Sequence, residues 1–585
     1  MRSVPAVLPT VVVLVLLAGC TGSDEPGSGA GSSAGDEPAA GTVVTAAPTS
    51  SRTLVADADP VAAAVSTSRA LYASSPVAVL VPADDPAAVL LGADSAVGLG
   101  VPLLLGGKGS ADALAPELDR LGVQAVLAVG ADAAELLPSG SDADVVTVPA
   151  DPDAVAEVTG LDLADEQTVA AADQGAAVAE LAADALPALR PEPAATPPTA
   201  PSSSAPSSGA PSSSSSPSSS SSRSSSAASS TPDGELPDVD RAKALSDVVV
   251  LASGAPESLA GIATARAAGA EVLLTGGVAD PRASADVVER LATSPTVVVL
   301  GADLAGAPGI DWKLDTAASG TQLPGGGQLL FPQHMLIALY GVPGSGSLGL
   351  LGEQDLPASI TRAQQMADSY RPLVDNTVVP TFEIIATVAS GSAGADGNYS
   401  AEQDVETLRP WVEGAGAAGL YVVLDLQPGR SDFLSQAQQY ESLLQLPYVG
   451  LALDPEWRLQ AGQLPLNQIG QVGIDEINQV VTWLADLTRA NALPQKLLVL
   501  HQFQVRMIID RERLDISRDE LAIMVHVDGQ GGQEAKQGTW QVLHKGAPEQ
   551  LSWGWKNFID EDLPMLTPEQ TIEQVLPTPE LVTYQ

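Results

Sequence analysis

The stretch VVVLASGAPESLAGIATARAAGAEVLLTGG, residues 248–277, shows how the first half of this chain is built. An aliphatic run at 248–251 is followed by an alanine-rich segment at 257–268 and a second aliphatic run at 271–275. Short runs of Val and Leu that alternate with alanine-rich segments are typical of parallel strands joined by helices. The stretch therefore predicts a βαβ unit whose sheet is buried on both faces.

The same order of elements occurs twice along the chain. After residue 277 a helix is predicted at 283–291 and a strand at 296–301. The earlier unit has predicted strands at 77–81, 102–105 and 125–130 and helices at 87–98 and 112–121. Such self-similarity indicates an internal repeat. Each unit is small for an independent core, so we expect the two to dock as one Rossmann-like α/β domain.

Both units resemble the type 2 cell-wall-binding repeat of Gram-positive surface proteins. The likeness lies in residues 248–277 with the closing TVVVLGAD, and in residues 77–107 with the closing AVLAVGAD. The resemblance implies α/β repeats that pack together and hold anionic wall polymers. The acidic composition and the long segment between the units depart from that family, so plain scaffold domains are the alternative.

The turn after the first strand of the second unit does not indicate a nucleotide site. This turn, Ala252-Ser253-Gly254-Ala255, lacks the GxGxxG spacing of a dinucleotide-binding loop.

From about residue 328 a second pattern begins, in which strand-like runs alternate with helical segments. The predicted strands are 336–340, 381–388, 420–426, 448–453, 497–502, 521–527 and 551–558. This alternation is typical of a (β/α)8 barrel of the TIM type. The eighth strand is not identifiable from the pattern.

Polar side chains stand at the carboxyl ends of most of these predicted strands. Barrel enzymes build their sites there because the strand ends converge. We predict a shared polar pocket in which four carboxyl groups are candidate catalytic residues and five further side chains bind substrate. The catalytic candidates are Glu456, Asp454, Asp425 and Glu383, and the substrate-binding candidates are His501, Gln502, Asp528, Trp553 and Trp555.

The segment GLALDPEW, residues 450–457, is the sharpest element of this pocket. It is similar to the fourth-strand motif of family 18 chitinase-like glycosidases, D-G-x-D-x-D-x-E. Gly450, Asp454 and Glu456 match the motif, whereas Val449 and Ala452 replace its other two acids. The resemblance implies that Glu456 donates a proton and that Asp454 orients the substrate. If the strand continues, the two carboxyls point the same way, roughly 6–7 Å apart; the alternative is a plain turn at Pro455 with a solvated Glu456.

Other chemistries have weaker support in the sequence. HExxH and CxxC motifs are absent, so we predict no metal and no cofactor. No GxSxG falls on a predicted strand–turn–helix, so we predict no α/β-hydrolase elbow. A metal-dependent hydrolase or deacetylase would need His501, His526, Asp528 and Glu383 to assemble in space.

The N-terminus resembles a bacterial lipobox. An apolar run at 11–17 leads to Leu17-Ala18-Gly19-Cys20, and Cys20 is the only cysteine of the chain. The resemblance implies that Cys20 carries a lipid that anchors the protein to the extracytoplasmic face of the cell membrane. The net charge of −44 makes nucleic acid a poor partner.

These patterns divide the chain into six segments. They are a lipoprotein signal peptide (1–20), a disordered spacer (21–58), repeat 1 (59–190), a Ser/Pro-rich linker (191–235), repeat 2 (236–320) and the glycosidase-like barrel (321–585). The predicted function is binding and possible hydrolysis of a cell-envelope polysaccharide. A non-catalytic wall-binding lipoprotein with a degenerate barrel is the alternative, and the sequence predicts no oligomeric state.

Overall fold

The computed structural model describes residues 41–193 and 236–585, and residues 41–585 belong to one compact unit. The predicted signal peptide, Cys20, residues 21–40 of the predicted spacer and most of the predicted linker lie outside the described residues.

The first α/β region contains one four-stranded parallel sheet and two small two-stranded sheets. The four-stranded sheet has the strand order β5-β4-β6-β7, while β1 pairs with β3 and β8 with β9. The elements are β1 Val44–Thr45, β2 Arg52–Val55, α1 Pro60–Leu71, β3 Tyr72–Ser74, β4 Val77–Pro82, α2 Pro86–Leu99, β5 Leu103–Gly106, α3 Ala111–Leu121, β6 Ala125–Val129, β7 Asp144–Val148, α4 Pro152–Thr159, β8 Gln167–Val169, α5 Gln174–Glu180 and β9 Leu189–Pro191.

The second α/β region repeats this strand order, because its parallel sheet runs β11-β10-β12 before a fourth strand. Its elements are β10 Val248–Ala252, α6 Leu259–Ala267, β11 Glu271–Leu274, α7 Ala285–Leu291, β12 Thr296–Leu300, α8 Ala302–Ala305 and α9 Ile310–Ala318. The fourth strand is β2, which pairs in parallel with β12. Both β1 and β2 therefore lie within residues that the sequence assigned to the spacer.

The two sheets share one hydrophobic core, as we expected from their size. Alternate residues of β4, such as Val79, and of β10, such as Val250, belong to the same buried cluster, and helices α1, α2 and α6 pack together. In α6, Thr264 Oγ1 accepts a hydrogen bond of 3.1 Å from the backbone of Leu103 in the first sheet. A Cβ added to Gly261 would lie 2.7 Å from Leu300 Cδ2, so a larger residue at this helix position would force the Leu300 side chain to shift.

The second half is a closed barrel of eight parallel strands in the order β13-β14-β16-β17-β19-β21-β22-β23, and β13 pairs with both β14 and β23. The elements are β13 His334–Gly341, α10 Leu356–Tyr370, β14 Thr377–Ala389, β15 Ser400–Glu402, α11 Val405–Ala417, β16 Tyr421–Leu426, α12 Phe433–Gln439, α13 Glu441–Leu444, β17 Val449–Leu453, β18 Val472–Gly473, α14 Ile474–Ala490, β19 Lys496–His501, β20 Ile508–Ile509, β21 Leu521–Val527, α15 Gln533–His544, β22 Ser552–Asn557, α16 Pro568–Gln574 and β23 Leu581–Tyr584.

The barrel departs from a strict alternation of strand and helix. Between β19 and β21 the described chain forms two 3₁₀ turns and the short strand β20 rather than an α-helix. This connection is rich in Arg, Asp and Glu and lacks an apolar stripe of helical period. The chain ends one residue after β23, the strand that the sequence pattern did not reveal. With only four residues, β23 is identifiable mainly by its pairing with β22 and β13.

Partly buried polar contacts join the second α/β region to the barrel. Lys313 of α9 donates to Asp519 at 2.6 Å, and Arg282 donates to the backbone oxygen of Asp519 at 3.1 Å. The Arg282 guanidinium also lies 4.4 Å from the ring centroid of Trp312. These contacts are made at Asp519, just before β21 begins at Leu521, which leaves the carboxyl ends of the barrel strands on the other side.

Candidate functional site

Alternate residues of each barrel strand face the barrel interior, and these positions change from apolar to polar toward the carboxyl ends. In β16, Tyr421 and Val423 belong to the interior cluster, and Asp425 follows on the same face. In β21, Met524 is an interior residue and His526 follows it. Since the carboxyl ends of parallel strands lie at one end of a barrel, these polar side chains converge.

Seven strands contribute a buried side chain near or directly after their carboxyl end, and the long strand β14 contributes Glu383 from its middle. We call the following residues the polar cluster: Tyr340, Glu383, Asp425, Asp454, His501, His526, Asp528, Lys556 and Thr583. The structure thus brings together five of the predicted site residues, namely Glu383, Asp425, Asp454, His501 and Asp528.

A chain of hydrogen bonds crosses the centre of the cluster. Thr583 Oγ1 donates to Glu383 Oε2 at 2.9 Å, and His501 Nε2 lies 2.9 Å from Glu383 Oε1. On the other side of the ring, His501 Nδ1 lies 3.0 Å from Asp528 Oδ2. Carboxylate oxygens only accept hydrogen bonds, so a ring that bonds to both carboxylates donates from both nitrogens.

Without a bound ion, this arrangement therefore favours the imidazolium form of His501. Burial by itself lowers the pKa of His501, but the nearby carboxylates of Asp425, Asp528 and Glu383 raise it well above the ordinary value. Conversely, burial raises the pKa of Glu383, and the hydrogen bond and charge of His501 outweigh burial and lower it to about 2. The pKa of Asp528 is lowered for the same reason.

Asp425 and Lys556 lie beside this chain, on either side of Tyr340. The Tyr340 hydroxyl donates to Asp425 Oδ2 at 2.8 Å, and Lys556 Nζ lies 3.5 Å from the centroid of the Tyr340 ring. Asp425 Oδ1 has no hydrogen-bond partner among the described residues and lies 3.8 Å from His501 Nε2. Asp425 therefore presents one free carboxylate oxygen to the cluster.

Asp454 and Glu456 form a turn rather than a continued strand, which corrects the geometry we expected for this pair. Strand β17 ends at Leu453, and Asp454 Oδ1 accepts a hydrogen bond of 3.0 Å from the Glu456 backbone at the start of a 3₁₀ turn. Asp454 is buried, whereas Glu456 is only partly buried and lies at the rim. The two carboxyls therefore differ in environment, although they are only two residues apart.

The pKa of Glu456 is raised to about 7. Burial is the largest cause, and the charge of Asp528 adds to it, while Lys556 and His501 oppose it. Burial also raises the pKa of Asp454 well above its ordinary value. A rim carboxyl that is partly protonated near neutral pH is suited to proton donation.

Three predicted substrate-binding residues do not face the polar cluster, and the prediction that they bind substrate is wrong. Trp553 and Trp555 occupy outward positions of β22 and pack against Trp540 of α15, with ring centroids 5.9 and 5.7 Å away. Gln502 lies after β19, where its amide donates to the backbone of Gln504 and Val505. The Gln502 oxygen accepts a hydrogen bond of 2.6 Å from Arg511, so its polar atoms stabilise a loop.

Four members of the cluster were not among the predicted catalytic or substrate-binding residues, although the sequence named His526 as a candidate ligand in the metal alternative. Lys556 and His526 stand near strand ends in the sequence, and the inward alternation identifies them once the barrel is closed. Tyr340 ends an apolar run and is indistinguishable there from a core residue. Thr583 could not be found without its strand, β23.

Glu383, His501 and His526 offer ligand atoms that all lie within 4.8 Å of one another, which is a grouping that can hold a metal ion. A separate surface depression of about 760 Å³ lies at the N-terminal ends of the strands, near Val378 and Arg371. No member of the polar cluster lines that depression. The chemistry of the side chains therefore places the candidate site at the carboxyl end of the barrel.

In the described part of the chain, none of the helices has the length and apolar character needed to span a membrane. Comparison with protein-family models, with curated proteins and with solved structures finds no match for this chain. The family resemblances of its sequence therefore stay predictions, and the polar cluster is the feature of the chain that indicates function.

Proposed function

We propose that the barrel is a (β/α)8-type glycosidase domain that binds and hydrolyses a glycan of the cell envelope, with Glu456 as the proton donor. The observation that supports this most directly is the partly buried Glu456 carboxyl, whose raised pKa of about 7 keeps a proton available at the rim. Cleavage of a glycosidic bond requires a proton at the leaving oxygen.

A second carboxyl group completes the acid–base pair. Asp425 is the candidate because its Oδ1 has no partner among the described residues while Tyr340 holds its other oxygen. Asp425 then activates the attacking water or stabilises the positive charge that develops on the sugar. Asp454 supports the arrangement by holding the turn in which Glu456 lies.

The charge of the polar cluster indicates which class of glycan can bind. Five carboxyl groups, those of Glu383, Asp425, Asp454, Glu456 and Asp528, face the two basic groups of His501 and Lys556. An excess of acids disfavours phosphorylated or uronic sugars. We therefore expect a neutral or amino-sugar glycan rather than an anionic one.

The test compares glycan hydrolysis by the wild type and by Glu456→Gln. With purified envelope glycan, the release of reducing ends should fall roughly 10²–10⁴-fold in kcat for the variant, because the proton donor is lost. Glu512→Gln is the matched control, since Glu512 is an exposed carboxyl on a neighbouring loop of the same rim. Equal release by wild type and Glu456→Gln, or none by either, would refute the catalytic proposal and favour a non-catalytic wall-binding lipoprotein.

Anchoring through Cys20 is the second part of the proposal. Cys20→Ser removes the only thiol that could take the lipid. The variant should move from the membrane pellet to the soluble fraction or retain its signal peptide, as judged by detergent partitioning and mass. Partitioning like that of the wild type would show that the anchor lies elsewhere.

A further inference from the structure

We propose that Glu383, His501 and His526 bind one divalent transition-metal ion of the Zn²⁺ class within the polar cluster of the barrel. This departs from our expectation from the sequence that the protein binds no metal. It goes beyond the proposed function, because it concerns the side chains alone and does not depend on which substrate the pocket accepts.

The first support is the spacing of the ligand atoms. His501 Nε2 lies 2.9 Å from Glu383 Oε1, and His526 Nδ1 lies 4.0 Å from the same oxygen. Two ligands about 2.1 Å from a tetrahedral ion are separated by roughly 3.4 Å. All three ligand atoms lie within 4.8 Å of one another, so side-chain shifts on the order of 1 Å would place one atom from each residue around a common ion.

The second support is His526, whose chemistry is otherwise unexplained. It is fully buried, and neither ring nitrogen has a hydrogen-bond partner among the described residues. Its ring centroid lies 4.8 Å from that of His501. Burying an imidazole without partners carries a desolvation cost, which a bound ion would remove. Without a metal, a protonated His501 can donate hydrogen bonds to both Glu383 and Asp528, but the two ring nitrogens of His526 still have no hydrogen-bond partner among the described residues.

The third support is an outer set of partners that orients the ligands. Asp528 accepts a hydrogen bond from His501 Nδ1, which directs His501 Nε2 toward Glu383. Thr583 donates a hydrogen bond to Glu383 Oε2, which leaves Glu383 Oε1 to face the His501 ring. Carboxylate–histidine–metal arrangements of this kind are usual in protein metal sites. The residues around the three ligands thus already have the roles of an outer shell.

The ligand set indicates which ion is bound. Two imidazole nitrogens and one carboxylate oxygen suit Zn²⁺, Co²⁺ or Ni²⁺, whereas Ca²⁺ and Mg²⁺ prefer sets made of oxygen alone. Three protein ligands leave a coordination position for water or substrate, as in metal sites that act in catalysis. Asp425 Oδ1, 3.8 Å from His501 Nε2, is close enough to approach that position.

The test measures metal binding without any glycan, so its failure cannot be confused with failure of the proposed function. Full-length protein carrying Cys20→Ser, which removes the only thiol, is freed of metal with a chelator and then titrated with Zn²⁺. We expect one equivalent of Zn²⁺ per chain by elemental analysis after dialysis. Substitution of Zn²⁺ by Co²⁺ should give the visible bands of a nitrogen-ligated, four- or five-coordinate ion.

Three variants in this background locate the site. His526→Gln should weaken Zn²⁺ binding by at least about 100-fold, and Asp528→Asn by roughly 10–100-fold, as is usual for outer partners. His544→Gln is the matched control, because His544 lies on α15 outside the cluster and bonds to the backbone of Trp540. It should bind Zn²⁺ like the parent protein.

Two results would overturn the proposal. One is the absence of stoichiometric Zn²⁺ from the parent protein, and the other is undiminished binding by a folded His526→Gln. If His526→Gln does not fold, the parent protein decides the question through its Co²⁺ spectrum and its thermal midpoint. A spectrum without nitrogen ligation, together with a midpoint that Zn²⁺ does not raise, would exclude the site.

Discussion

Replacement of the buried Asp94 by Asn should remove the contribution of this carboxyl to the pH dependence of stability, about 2.5 kcal/mol between pH 5 and 8. Asp94 lies in α2 in the core that the two α/β regions share, and its side chain is fully buried. Its Oδ2 accepts a hydrogen bond of 2.7 Å from the Leu189 backbone, while Oδ1 has no partner among the described residues. Burial raises the pKa of Asp94 to about 7, although the Leu189 hydrogen bond opposes the shift.

The sign of the effect follows from proton linkage. The carboxyl has a pKa of about 7 in the folded protein and about 3.9 in an unfolded chain, so the folded state binds more protons between these values. Stability therefore falls as pH rises from about 4 and levels off above about 7. Between pH 5 and 7 this carboxyl lowers the free energy of unfolding by about 1.36 kcal/mol per pH unit, and above pH 7 it has little further effect. The wild type should therefore lose about 2.5 kcal/mol of stability from this residue between pH 5 and 8.

Urea unfolding followed by far-UV circular dichroism at pH 5 and pH 8 measures this difference. Asp94→Asn keeps an oxygen that accepts from Leu189 and has no titratable group, so its stability should fall by about 2.5 kcal/mol less than that of the wild type over this interval. Asp119→Asn, at an exposed position of α3, is the matched control and should follow the wild type. Parallel behaviour of Asp94→Asn and wild type would refute the reasoning, because it would mean that burial does not perturb this carboxyl.

Three further predictions concern the site and the folded unit. If Glu456 donates the proton, kcat/KM on the glycan should fall about tenfold per pH unit above about pH 7, because Glu456 is then deprotonated. A pH–rate profile measures this, and a kcat/KM that rises above pH 7 would argue against Glu456 as the donor. Asp562 is buried and lies 2.5 Å from Lys536 Nζ, so Lys536→Met leaves this carboxylate without its cation. The variant should be less stable than the wild type by about 3–5 kcal/mol in thermal unfolding. A loss of stability below about 1 kcal/mol would contradict this. Cleavage at a protease site inserted between Ser213 and Ser214 should leave two fragments that co-elute in size-exclusion chromatography, because β2 of the first pairs with β12 of the second. Separate elution of folded fragments would show that this pairing does not hold them together.

The local elements were largely predictable from the sequence. The predicted strand at 77–81 is β4 Val77–Pro82, and the predicted helix at 87–98 is α2 Pro86–Leu99. In α2, the chain itself supplies the signals, since Asp85 caps the helix start and Gly100 ends it in a left-handed conformation. Such signals act between neighbours in the chain, so a single sequence is enough to find them.

The candidate site was predictable only in part. Asp425 and His501 end aliphatic runs, which marked them as strand-end residues, and the structure confirms that they converge. Trp553 and Lys556 lie close together in β22, yet Trp553 faces the helices and Lys556 faces the pocket. Which alternate set of a strand faces inward depends on how the barrel closes, and β22 has no simple apolar alternation from which this could be decided.

What the sequence by itself determined is therefore the α/β class, the longer strands and helices, their parallel arrangement and the end of the barrel at which polar groups gather. The tertiary structure decided the pairings of distant segments, which placed β2 beside β12 and closed the barrel with β23 against β13. It also decided the roles of side chains, because the turn at Asp454 separates Glu456 from the buried carboxyls and barrel closure brings His526 to Glu383. The physical reason is that periodicity and capping act over a few residues, whereas strand pairing, burial and the pKa of a carboxyl depend on groups that are far away in the chain.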